Sequence, residues 1–180
     1  MTAPNLIEKF FGLDFHFTER SNLSLTIDFV RAILKNPRQM YFARKLAESV
    51  LRDVPDRVFN LEIQALFDFV RDRIRLTRDI KDVETIKTLE RIYNEIEAQG
   101  NFLGDCDDAT ILLAGLLMSV GYTVRIVITS TMQNVSDSFN HIFLQVLNPT
   151  DNKWYNLDPT IKTKPMGTVV RYKRISYFSV

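Results

Sequence analysis

Residues 106–120 constrain this chain more than any other stretch. After Cys106 come Ala109, Ile111, Leu112, Leu113, Ala114, Leu116, Leu117, Met118 and Val120, which at a helical period leave no polar face. A helix apolar all round must be enclosed, so the remaining elements have to wrap it. Gly121 supplies its stop. Cys106, the only cysteine of the chain, therefore stands where a turn enters a buried helix. The backbone N–H groups of a helix start lack intrahelical partners and carry the positive end of the dipole, so the expectation is a thiol biased toward thiolate, a nucleophile.

The 180 residues, 46% hydrophobic, are enough to enclose such a helix in one core and short for two, so residues 1–180 read as a single domain. Lys and Arg number 23 against 22 Asp and Glu, which gives no reason to expect nucleic acid or an anionic membrane as partner. The balance is local: from Ile161 to Val180 stand Lys162, Lys164, Arg171, Lys173 and Arg174 with no acidic residue, interleaved with Tyr172, Tyr177 and Phe178. This basic, aromatic tail, residues 168–180, reads as a docked terminal strand with a solvated face. A lone cysteine forms no intrachain disulfide, and neither a secretory signal nor an apolar run of membrane-span length is visible, so the expected location is cytoplasmic, or a particle assembled inside a cell.

Along the chain, Phe10, Phe11, Phe15 and Phe17 form a Phe-rich arm without a clean period, a contact surface for the body or for a protein partner. Helices are expected over 22–34, over 40–51 up to the break at Pro55, over about 57–75, and over 84–99, with 76–83 a linker or short extended piece. After Gly121 the character changes. Tyr122–Thr129, His141–Leu147 and Trp154–Asp158 are strand-like, and Thr129–Asn140 is polar and loop-like. Helices followed by strands predict an α+β fold whose antiparallel sheet packs on the cysteine helix.

The last two of these strands flank Asn148-Pro149-Thr150-Asp151, a turn signal. If these four residues are the loop, Leu147 faces Asn152 and His141 faces Asp158. If the loop is 148–153 instead, His141 and Asp158 become diagonal neighbours on the same face. Both registers let the two side chains meet, whereas an odd loop would separate them. A carboxylate on one imidazole nitrogen fixes the tautomer and leaves the other free as a base for a thiol. His16, the only other histidine, has no acidic or cysteine partner in phase and reads as structural. Zinc lacks ligands at a workable spacing, and Asp105, Asp107 and Asp108 miss the EF-hand pattern, so no metal or other cofactor is expected. Asp107 and Asp108 are instead placed in the first helical turn, facing free amides.

The blocks GDCDDATILLAGLLMSVGYTVRIV, FNHIFLQV and KWYNLDPT, in that order, resemble the transglutaminase-like superfamily of cysteine enzymes, nearest to its small bacterial and phage-encoded members. The resemblance spans about 61–167 as a catalytic core, with 1–60 as an N-terminal helical extension. It implies a papain-like fold with Cys106 as nucleophile, His141 as base and acid, and Asp158 orienting the histidine. It also implies acyl transfer at a carbonyl, here expected to be hydrolysis of an amide in a protein or peptide substrate. The backbone N–H of Cys106 offers one oxyanion donor; Gln99, which resembles the upstream glutamine of papain-like enzymes, and Asn101 are the candidates for a second. The competing reading is a component of a larger assembly, such as a phage particle, built on the same fold, with the Phe-rich arm and the basic C-terminal tail as surfaces for a protein partner.

Overall fold

The computed structural model describes residues 15–17, 23–77, 84–133 and 138–180. Phe10 and Phe11 of the Phe-rich arm, most of the 76–83 linker and the middle of the polar loop before His141 lie outside these residues. The helix of Cys106, α5 (Cys106–Ser119), is buried from Asp107 to Leu117. Around it are α1 (Leu23–Lys35), α2 (Pro37–Leu51), α3 (Phe59–Arg73) and α4 (Leu89–Gln99), and on its sheet side β5 (Val124–Thr131) and β6 (His141–Asn148). The burial expected from its all-round apolar pattern is what the fold delivers. The helix crossing is tight at Gly115, where a Cβ would lie 3.0–3.1 Å from Leu89 and Ala43, so a larger residue would have to push these neighbours aside.

Local signals explain most helix ends. The Asn36 side chain accepts from the Gln39 N–H and Pro37 occupies the first turn, so the Asn-Pro that ends α1 also starts α2. Thr88 caps α4 through the Arg91 N–H, and Gly100 closes it at φ 73°. The cap at Thr88 corrects the helix expected over 84–99. Glu84–Ile86 is instead strand β3, paired antiparallel with β1 (Phe15–Phe17), and the helix begins at Leu89. A second short pair, β2 (Ile74–Leu76) parallel to β4 (Phe102–Gly104), carries the chain out of α3 and into α5.

The main sheet is antiparallel in the order β7-β6-β5-β8, with β7 at Lys153–Leu157 and β8 at Tyr172–Ser179. This is the expected α+β arrangement. The basic tail forms β8, paired along β5 and tied at its end by Arg31, whose guanidinium donates to the Ser179 carbonyl at 2.7 Å and 2.9 Å. Ile27, Val30, Ile33, Ala43, Leu46 and Ala47 of α1 and α2 belong to the same hydrophobic core as α5 and the sheet. No described helix is long and apolar enough to cross a membrane.

Candidate active site

His141 opens β6, and Asp158 follows the last residue of β7. Leu147 pairs with Trp154 and Asn148 with Lys153, so the register is the diagonal one and the turn proper is 149–152. Asn148 stays in the strand because its side chain accepts the Thr150 N–H at 2.9 Å and its carbonyl the Asn152 N–H at 2.9 Å. Asn152 then takes φ 56°, a left-handed conformation that Asn tolerates. Even parity keeps the two side chains on one face, and His141 Nε2 lies 2.6 Å from Asp158 Oδ2.

The other carboxylate oxygen is held as well. Asp158 Oδ1 accepts from the Thr160 backbone N–H at 3.1 Å and from its hydroxyl at 2.6 Å. Thr160 escaped the sequence reading, although a threonine two residues after an aspartate is the signal for such a local turn. On the ring side, His141 stacks on Phe143 and Phe143 on Tyr172, with centroids 6.1 Å and 5.6 Å apart. Burial, and then the Asp158 charge, push the Tyr172 hydroxyl up to about 12. With Nε2 committed to Asp158, Nδ1 is the nitrogen left for a thiol.

The start of α5 is brought to the same strand. The Thr110 hydroxyl, one turn into the helix, donates to the Cys106 carbonyl at 2.7 Å and lies 3.4 Å from the carbonyl of Ile142, the neighbour of His141. Cys106 itself is half-buried against the core and unbridged. The expected bias toward thiolate is reversed. Burial, followed by the Asp105 and Asp107 carboxylates, pushes the Cys106 thiol well above its ordinary range, while a hydrogen bond from the Ile142 backbone acts the other way. The cause is local: the Asp107 N–H is taken by Asp105 Oδ1 and the Asp108 N–H by Asp107 Oδ1, so carboxylates already occupy the positive helix end. Asp105 is the N-cap.

Asp108 works away from the thiol. It accepts the Lys87 backbone N–H at 2.8 Å, and a Cβ at Gly104 would fall 2.7 Å from its Oδ2, so only glycine lets β4 pass. This bond fastens the nucleophile helix to the end of β3.

Gln99 and Asn101 sit at the C-terminal end of α4, where the Asn101 amide donates to the Gln99 carbonyl at 3.0 Å, and β4 lies between them and Cys106 along the chain. His16 lies in β1 opposite Thr85, on a pair separate from the main sheet.

The sequence model of the transglutaminase-like superfamily matches residues 44–159. No curated protein matches the sequence. Among solved structures, a protein from Cytophaga hutchinsonii provisionally described as a cysteine protease aligns over 84% of this chain and 51% of its own, with TM-score 0.51 and 13% identity. A protein from Parabacteroides distasonis ATCC 8503, provisionally described as a protease, aligns over 78% of this chain and 26% of its own, with TM-score 0.51 and 12% identity. This chain thus spans about half and about a quarter of their lengths. At such identity the likeness is one of fold.

Proposed function

This chain belongs to the transglutaminase-like superfamily, and from that premise we propose that it is a cysteine hydrolase, a peptidase or amidase acting through Cys106, His141 and Asp158. The observation that carries the proposal is the 2.6 Å contact of His141 Nε2 with Asp158 Oδ2, on the strand against which the start of the Cys106 helix packs. In the proposed cycle Nδ1 of His141 takes the Cys106 proton as sulfur attacks the amide carbonyl, and returns it to the leaving amine. Water, deprotonated by the same nitrogen, then releases the acid and restores the thiol. In this reading the Cys106 backbone N–H, at the helix start, receives the oxyanion. With burial and the neighbouring carboxylates favouring the thiol, the histidine acts in this reading as a base on the bound complex rather than as the partner of a preformed thiolate.

One observation favours the second reading, an interaction component of a larger assembly. Burial and two carboxylates that raise a thiol suit a cysteine that does no chemistry. Digestion of a denatured lysate by the pure protein separates the two. New amino termini or deamidated side chains that vanish with Cys106→Ala support the hydrolase; identical products from both proteins, or none, leave the interaction component.

A further inference from the structure

The outer face of the main sheet holds a groove that the proposed chemistry leaves unused. It encloses about 340 Å³, within the range of small-ligand and side-chain sites. Trp154, Tyr177, Ile175 and Val170 form its walls, and Gln145 of β6 and Asn156 of β7 line it between them. Ile175 is 42% and Tyr177 48% exposed, which is high for large apolar groups on a sheet.

A hydrogen-bond chain fixes this groove in advance of any ligand. The Arg125 guanidinium lies 4.2 Å from the ring centroids of both Trp154 and Tyr177, and its Nε donates to Gln145 Oε1 at 2.7 Å. Gln145 Nε2 donates to Asn156 Oδ1 at 2.6 Å, and Asn156 Nδ2 to the Thr168 carbonyl at 3.1 Å. The chain runs across three strands into the loop that leads back to β8. Walls held in this way cost little further ordering when something binds.

Position and charge narrow what that is. Asn156, Val170 and Tyr172 line both this groove and the recess that contains Asp158. Gln145 shares a sheet face with His141 four residues away, about 13 Å at roughly 3.3 Å per residue, the reach of three or four residues of extended peptide. The groove lining includes Lys153 and no carboxylate, Lys164 lines the adjoining recess, and Arg125 stands between the aromatic walls. Lys153, its side chain 76% exposed, has among the described residues Asp151 as its one acidic partner, at 3.9 Å. The volume suits one or two side chains rather than a run of nucleotides.

We infer that this groove is a specificity subsite, taking an aromatic or branched apolar side chain flanked by acidic residues, three or four positions from the bond that Cys106 attacks. The inference rests on the hydrolase reading for its orientation, but binding can be measured without turnover. In the Cys106→Ser protein, a fluorescein-labelled peptide with a Glu-Glu-Phe-Glu centre should bind at least about tenfold tighter than Lys-Lys-Phe-Lys or Glu-Glu-Ala-Glu counterparts. Trp154→Ala should abolish the preference for Phe, and the surface change Lys153→Glu, which leaves the core untouched, should remove the preference for acidic flanks. If these effects appear while the protein with Cys106 intact cleaves none of the peptides, the subsite stands and the hydrolase reading falls. If peptides are cleaved at rates indifferent to their flanks and to both substitutions, the hydrolase reading stands and the subsite falls. Failure of all the peptides to bind, or tighter binding of oligo-dT, also overturns the subsite.

Discussion

The residues of the site pull against one another at Cys106. A helix start favours a thiolate, but here burial, followed by the Asp105 and Asp107 carboxylates, favours the thiol. The reacting species in alkylation is the thiolate. Iodoacetamide labelling of Cys106 should therefore climb steadily with pH through neutrality, its midpoint above the ordinary value of about 8.5. A rate already level at pH 6 would mean that His141 holds the thiolate as an ion pair, against the environment described. The raised value also makes the buried thiol a source of stability present below about pH 8.5 and lost as pH rises through the folded-state value. At His141, Asp158→Asn should leave the fold intact, because Thr160 can still donate to the amide oxygen, but should cost about 10²–10⁴ in rate by misdirecting the imidazole. Adding Asp158→Asn to His141→Ala should then cost little more. Kinetics of the two single variants and the double variant check this, and fully multiplicative losses would show that the pair does not act as a unit.

At the scale of elements, the positions legible in the sequence were those set by short-range chemistry. Asn36-Pro37, Gly100, Gly121 and the apolar run after Cys106 each mark an element boundary that the fold respects. The even parity of the turn after β6 was also legible, though Asn148 remains in the strand by capping its own turn, which shifts the pairing to the diagonal register. The strands β3 and β4 were not legible, since three residues give no period and their pairing depends on partners distant in sequence. The bond from Asp108 of α5 to the Lys87 N–H at the end of β3 was hidden for the same reason. Burial raises the Asp108 carboxyl well above its ordinary range, with Asp105 adding to it and the Lys87 N–H opposing it. A raised acid contributes stability that is fully present below its unfolded value, about 3.9, and is lost as pH rises through the folded one. Asp108→Asn keeps an oxygen for the Lys87 N–H and removes the titration. Its melting temperature relative to the parent should therefore rise as pH increases from 4 to 8, and a difference independent of pH would show that Asp108 is charged in the fold at little cost.

For the whole molecule, the arrangement bears on where the acyl group goes. A transferase has to keep water from the acyl-enzyme and hold a second substrate, which calls for elements around the nucleophile beyond the core. Here the chain passes from Cys106 to His141 by way of α5, β5 and a connection at 132–140, so nearly all of it is spent on elements of the core. The loop from 158 to 171 lines the recess that contains Asp158 and closes on β7 through the Gly167 N–H, which donates to the Asn156 carbonyl at 2.7 Å. The basic residues after Ile161, read in the sequence as a docked terminal strand with a solvated face, belong to this loop and to the edge strand β8. On the hydrolase reading proposed above, water should be the main acceptor. A peptide substrate incubated with excess methylamine should release predominantly free acid, resolved by mass spectrometry from the methylamide. Predominant methylamide at millimolar amine would overturn the hydrolase assignment in favour of a transferase while leaving Cys106, His141 and Asp158 in their proposed roles.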